Sequence, residues 1–320
     1  MEPLVFQIID WRDSNEEQNI PEEYVVPDNE ENLQKYVCRI YGRTLSGESV
    51  HAKCLNYIPH FYIKVPDFWK THIKVFKNGF VKAIKDKNKK HGKHIVDCEI
   101  LTRHEFRGFT AGESFEFIRL SFNNSYAMRQ IIYHIQNNNI AIGNQSYQYQ
   151  TYETSIDSIL RFAHIRKINM AGWIEIRNYI DNNDYETSTC DINVVCDWQA
   201  IFPNDTDTNA PFKILSYDIE CYSEDGSFPS PERQTDKIIQ IGSVFSIYGK
   251  GIYKKHIITL GSCDEIDGVE VVAVRTEKEL LMKWNELIRN EDPDILLGYN
   301  IFGFDDYYIN SRACLKSINC

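Results

Sequence analysis

The sequence predicts an α/β protein, with an α+β mixed-sheet region followed by a second region of strands and helices. Three observations carry this. Short segments such as LVFQIIDW, KYVCRIYGRT and KILSYDIECY concentrate apolar residues at strand length. AMRQIIYHIQ and the residues after Thr276 space their apolar positions three and four apart, the period of a helix. A polar stretch, PNDTDTNAP at 203–211, separates two different grammars. The chain therefore divides into a first domain at 1–205, a linker at 206–211 and a second domain at 212–320.

Taken in order, LVFQIIDW is a first strand, and the acidic, proline-bearing residues 14–32 read as a solvated surface loop. KYVCRIYGRT, a turn at Ser46-Gly47 and SVHAKCLNYIPHFYIKV give strand, turn, strand. KAIKDKNKKHGKH at 82–94 holds six lysines and two histidines against one acid, Asp86. It reads as a lysine-rich loop that either touches phosphates or is simply solvated. EFIRLSFNN is a strand, and AMRQIIYHIQ a helix with Met128, Ile131, Ile132 and Ile135 inward. SIDSILRFAHI is expected to bury Ile156, Ile159, Leu160 and Ile165, and DINVVCDW adds a strand.

Beyond the linker come three strands, KILSYDIECY, KIIQIGSVFSIY and KKHIITLG. Thr276 and Glu279 form a capping box, and the helix behind them presents Leu280, Leu281, Trp284, Leu287 and Ile288 on one face. Asp292-Pro293 stops it, DILLGYN is a fourth strand, and FDDYYINSRACL begins another helix. This order suggests a mixed sheet with helices packed on it. No internal repeat is visible.

Composition narrows the class without naming a function. The 320 residues carry a net charge of −11, and no run of eighteen apolar residues offers a membrane span. The start, MEPLVFQIIDWRD, has no basic segment and meets Asp10 too early for a signal peptide. Nine cysteines without a C-x-x-C pair argue for reduced thiols in a cytosolic or nuclear compartment, and against a zinc module. Net acidity says little about a local groove for nucleic acid.

The chemistry concentrates in KILSYDIECY. Asp-x-Glu occurs four times, at Asp28/Glu30, Asp97/Glu99, Asp184/Glu186 and Asp218/Glu220, but only the last lies within a strongly apolar strand. Alternation puts Ser216, Asp218 and Glu220 on one face and Leu215, Tyr217 and Ile219 on the other. Same-face neighbours lie about 6.6 Å apart, a span that carboxylates bridge around one or two metal ions. On a buried strand, a cation would compensate the burial, and oxygen ligands favour Mg²⁺ or Mn²⁺. A third acid, Asp305, follows the strand DILLGYN at the start of a helix, where sites in such sheets gather. Asp306 competes with it, and Asp305 also reads as an ordinary acid at a helix N-terminus.

These residues resemble family B DNA polymerases. D-I-E at Asp218–Glu220 is similar to the first exonuclease motif of that family, and Tyr299, Asn300, Phe304 and Asp305 match Y-N-x-x-x-F-D, the second. YETSIDSILRFAHIRKINMAGWIEI resembles the delta-type segment at Tyr152, Glu153, Leu160, Arg161, Phe162, Gly172 and Trp173. NYIPHFYIKVPD and FIRLSFNN are similar to the same group's N-terminal domain, and the opening resembles polymerases of large nucleocytoplasmic DNA viruses.

The resemblance implies an N-terminal domain followed by a partial ribonuclease H-like exonuclease domain that removes mismatched nucleotides from a primer's 3′ end. Asp218 would bridge two Mg²⁺ or Mn²⁺ ions, Glu220 would bind one and orient the water, and Asp305 would complete the set. Asn300 and Phe304 would position the single-stranded end, although Phe304 also reads as core. Arg161 and Trp173 read as structural. After Asp305 no Tyr-x-x-x-Asp segment for a third exonuclease motif follows in these residues, and no palm motif is found in them. A remaining polymerase segment with palm, fingers and thumb is therefore the expected partner, alongside primer-template DNA, with viral DNA replication in host cytoplasm or nucleus as the setting and no membrane involved. The chain alone is expected to show little catalysis. A stand-alone DnaQ-like exonuclease and a non-catalytic scaffold fragment are the alternatives.

Overall fold

A computed structural model describes residues 2–16, 33–105, 109–182 and 188–317. The acidic segment 17–32 and the pairs Asp28/Glu30 and Asp184/Glu186 lie outside the described residues. The chain forms two compact units: Met1–Gly42 with Glu48–Thr206, and Asp207–Cys320 with the turn Arg43–Gly47.

In the first unit, β1 (Leu4–Glu16), β2 (Lys35–Arg43), β3 (Ser49–Leu55) and β4 (His60–Lys64) precede the helices α1 (Ile73–Lys87) and α2 (Lys89–Gly92). Then follow β5 (Ile95–His104), β6 (Ser114–Phe122), α3 (Ser125–Asn137), β7 (Ile140–Ile142), β8 (Gln145–Tyr147), β9 (Thr151–Tyr152) and α4 (Ser158–Arg166). β10 (Trp173–Ile176), β11 (Ile180–Asp181), β12 (Ile192–Asp197) and β13 (Ile201–Pro203) complete it. A seven-stranded sheet has the order β11-β12-β3-β2-β1-β10-β13, and a four-stranded one the order β5-β6-β4-β9. The larger sheet is mixed, since β12 pairs with β3 in parallel while β1 and β10 run antiparallel. Each sheet has its own core: Phe6, Ile8, Ile40 and Ile174 with Phe162 of α4, and Phe61, Ile118 and Leu120 with Phe76, Phe80 and Ile131 of α1 and α3.

Two expectations are corrected here. The lysine-rich residues 82–94 are not a loop: they run through the end of α1 and the whole of α2. The apolar stripe of α1, Phe76, Phe80 and Ile84, was masked by the lysines between its members. On α4 the inward residues are Ser158, Arg161, Phe162 and Ala163; Leu160, Ile165 and Ile156 just before the helix are exposed, and of the four expected aliphatics only Ile159 packs on the core. The aromatic ring buries more area than the aliphatic residues and sets the helix's rotation. Met128, Ile131, Ile132 and Ile135 of α3 are buried as expected.

The second unit holds β14 (Lys213–Tyr222), β15 (Lys237–Ile247), β16 (Gly251–Leu260), β17 (Glu270–Val274), α5 (Glu277–Glu291), β18 (Ile295–Leu297) and α6 (Asp305–Leu315). Its sheet has the order β17-β16-β15-β14-β18 and is mixed, with β14 antiparallel to β15 and parallel to β18. The short strand β17, EVVAV, was not anticipated. α5 begins with the Thr276–Glu279 capping box and ends where Asp292 turns left-handed. It buries Leu280, Leu281, Trp284 and Leu287 against Leu215, Tyr217, Ile241 and Ile258. Among the described residues no helix is long and apolar enough to cross a membrane, and none of the eight described cysteines is in a disulfide.

Candidate active site

β14 is half-buried rather than buried. Leu215, Tyr217 and Ile219 point into the core, whereas Asp218 and Glu220 project from the opposite, exposed face. Burial is therefore not what would demand a cation at these two carboxylates; the strand simply fixes them on one side. Across the ladder Asp218 faces Gly242 and Glu220 faces Gln240. Above Gly242 there is open space, and Ser216, Asp218, Gly242, Val244, Lys255 and Ile257 line a groove of about 360 Å³.

Asp305 reaches the same strand from its edge. β18 pairs with β14 only from Ile214 to Ser216, after which the chain turns away. The turn can press against β14 because residue 298 is glycine: a Cβ there would lie 2.5 Å from the Tyr217 carbonyl oxygen and 2.4 Å from Ile301. Asn300 adopts φ 54°, a region asparagine tolerates, and its carbonyl accepts the N–H groups of Gly303 (2.9 Å) and Phe304 (3.1 Å). That turn launches α6, whose first residue, Asp305, is 3% exposed. Its Oδ1 accepts the N–H of Ile219 at 3.1 Å, the residue between Asp218 and Glu220. Burial pushes the Asp305 carboxyl above its usual range, the Ile219 N–H and its own N–H work against this, and the Asp218 charge adds to the rise.

Asp306 takes a different partner, although its charge also adds to the rise at Asp305. It accepts the hydroxyl of Tyr217, a residue of the core face, whose pKa is pushed up by burial and then by Asp306. Phe304 is half-buried, with its ring 5.3 Å from that of buried Tyr308 and 5.4 Å from the exposed ring of Phe228. The Asn300 side chain is exposed, and Tyr299 (93% exposed) and Phe302 (88%) stand beside it. Phe228 was missed in the sequence; it sits in an irregular segment, SFPSPE, with no periodic signal. Also missed was the buried pair of Glu277 and Arg312, whose guanidinium further donates to the carbonyls of Pro231 (3.1 Å) and Arg233 (2.8 Å).

The donor chemistry suits a hard divalent cation. Asp218, Glu220 and Asp305 offer only oxygens, and buried Asp305 lies close enough to Asp218 to feel its charge. Among the described residues, however, no three His, Cys, Asp or Glu side chains are already gathered at metal-binding separation.

Comparison with known proteins decides the family. Residues 149–320 match the family model described as DNA polymerase family B, exonuclease domain. The chain belongs to DNA polymerase family B. A DNA polymerase of Acanthamoeba polyphaga mimivirus is 36% identical over 96% of this chain, and the DNA polymerase delta catalytic subunit of Dictyostelium discoideum is 33% identical over 86%. The chain spans 18% and 26% of the lengths of those two relatives. The solved family B DNA polymerase of the archaeon Pyrobaculum calidifontis shares the fold, with a TM-score of 0.59 and 16% identity over 98% of this chain and 33% of that one. Within this family B chain, the delta-type landmarks Glu153 and Arg161 form an ion pair, and Arg161 also donates to the Glu153 carbonyl at 2.9 Å. Arg161 and Trp173 are both buried.

Proposed function

We propose that this chain is the amino-terminal part of a DNA-directed DNA polymerase serving viral DNA replication. In this reading residues 1–205 are its N-terminal domain, 206–211 the linker, and 212–320 a ribonuclease H-like 3′→5′ exonuclease domain, one of whose ligands comes from elsewhere in a longer polypeptide. Its substrate is the single-stranded 3′ end of a primer on its template. Palm, fingers and thumb are the remaining segment, and the working compartment is host cytoplasm or nucleus. The observation that carries the reading is the hydrogen bond from Ile219 N–H to Asp305, which ties the third acid to the strand between the other two.

Asp218, Glu220 and Asp305 would hold Mg²⁺ or Mn²⁺, two ions in the complete site. Bound there, the ions supply charge neutralisation at the phosphodiester and lower the pKa of water. The chain's own residues do the rest. Ile219 N–H fixes the orientation of Asp305. Glu220, on the open face, can accept a proton from water approaching the phosphorus. Phe304, braced by Tyr308 and edged by Phe228, offers a ring on which the terminal base stacks, and the exposed amide of Asn300 can hydrogen-bond the strand.

In the complete polymerase, Asp218→Ala is expected to abolish degradation of a mismatched primer end while nucleotide incorporation continues. Gel analysis of both reactions on one labelled primer measures this. Persistent degradation would remove the site assignment.

A further inference from the structure

The lysines of α1 and α2 remain unexplained by a nuclease site in the second unit. Eight lysines lie between Lys74 and Lys93 with one acid, Asp86, in a chain whose net charge is −11. Seven of them, Lys74, Lys82, Lys85, Lys87, Lys89, Lys90 and Lys93, are exposed, and among the described residues none makes a hydrogen bond or ion pair through its side chain. Only Lys77 is engaged, donating to the Cys98 carbonyl at 3.3 Å.

Helix stability does not account for them. Lysines at the end of α1 favour its dipole, but Lys74 stands in the first turn, where positive charge is unfavourable and no acid offsets it. Phe76, Phe80 and Ile84 occupy the core side of α1, leaving Lys74, Lys82 and Lys85 on the outer side. α2 then packs unusually close: a Cβ on Gly92 would lie 2.8 Å from the Lys85 Cα. Glycine at 92 thus brings Lys89, Lys90 and Lys93 beside Lys85. The result is a basic ridge about 20 Å long. The nearby acids are Asp86 and Asp97, and Asp97 is already within 3.7 Å of Arg119. Packing this much like charge together is repulsive in the free protein, which calls for an anionic partner.

We infer that this ridge is a second nucleic-acid surface, which binds the phosphate backbone and does not read bases. Lysines one helical turn apart suit a repeating row of phosphates. Exposed aromatic rings for stacking are absent from α1 and α2 themselves, so contact is to the backbone. A membrane fits less well, because the apolar side of α1 is already buried in the core and cannot insert. An acidic protein fits less well too, since Val75 is the one large apolar side chain exposed on α1 to anchor it. The inference needs only the family assignment and is independent of the carboxylate site.

The test uses the complete protein with Lys82, Lys85, Lys89 and Lys90 all changed to Gln, and a labelled primer-template titrated by fluorescence anisotropy at several salt concentrations. Each lost phosphate contact lowers the slope of log affinity against log salt by about 0.7 on single strands and about 0.9 on duplex. The variant's slope is therefore expected to be shallower by about 3, equally for unrelated sequences. The corresponding Lys→Arg variant should keep the original slope. An unchanged slope and affinity in the Gln variant, with an unaltered circular dichroism melt, would overturn the inference. So would loss of binding to phosphatidylserine vesicles while DNA binding stays intact.

Discussion

His60 shows how burial and one charged neighbour together set the behaviour of a side chain. It is partly buried on β4, with its Nε2 3.4 Å from the guanidinium of Arg161. Burial, and then the Arg161 charge, push its pKa from 6.5 down to about 4. Between those values the unfolded chain binds a proton that the folded one refuses, so stability rises with pH there. The contribution is complete above about 6.5 and is lost as pH falls toward 4. His60→Gln should flatten the pH dependence of the urea midpoint across that window; an identical slope in the variant would contradict the assignment. At this scale the sequence was informative where a backbone rule applied. Period-two alternation placed Asp218 and Glu220 together and Tyr217 opposite. It could not separate Asp305 from Asp306, because that depends on which one meets the Ile219 N–H and which the Tyr217 hydroxyl.

Elements with explicit start and stop chemistry were legible, such as α5 between its capping box and Asp292. Those whose pattern was overlaid by another signal were not: lysines hid α1, and on α4 Leu160 and Ile165 point away from the face that buries Phe162. What joins α5 to α6 was also invisible, because Glu277 and Arg312 are far apart in sequence. Arg312 Nε donates to Glu277 at 2.8 Å, and the same carboxylate accepts the Ile238 N–H at 3.0 Å. Burial alone would raise the Glu277 pKa; Arg312 and the Ile238 N–H overcome this and hold it below the usual range. Breaking one side of a buried pair costs about 3–5 kcal/mol. Arg312→Met should therefore lower the denaturation midpoint sharply, and adding Glu277→Gln should recover part of the loss. If the single variant melts like the parent, the pair does not hold α6 in place. Since α6 begins with Asp305, the same contact supports the carboxylate group.

For the molecule as a whole, net charge was the least informative number. The acidic total conceals a row of exposed lysines in one unit, and the first unit closes around two cores and the second around one. The reading of the sequence located the strand acids and the helix-start acid but took β14 as buried. The sheet instead leaves that face open, with Gly242 beside Asp218. The central claim is that Asp218, Glu220 and Asp305 act as one site and that Asp306 stands outside it. Single-turnover excision of a mismatched 3′ nucleotide by the complete polymerase, compared between Asp305→Asn and Asp306→Asn, tests this most directly. Asp305→Asn should lose more than the ~100-fold typical of changes behind a metal ligand, and Asp306→Asn should stay within that range. Equal losses, or a greater loss at Asp306, would contradict the account.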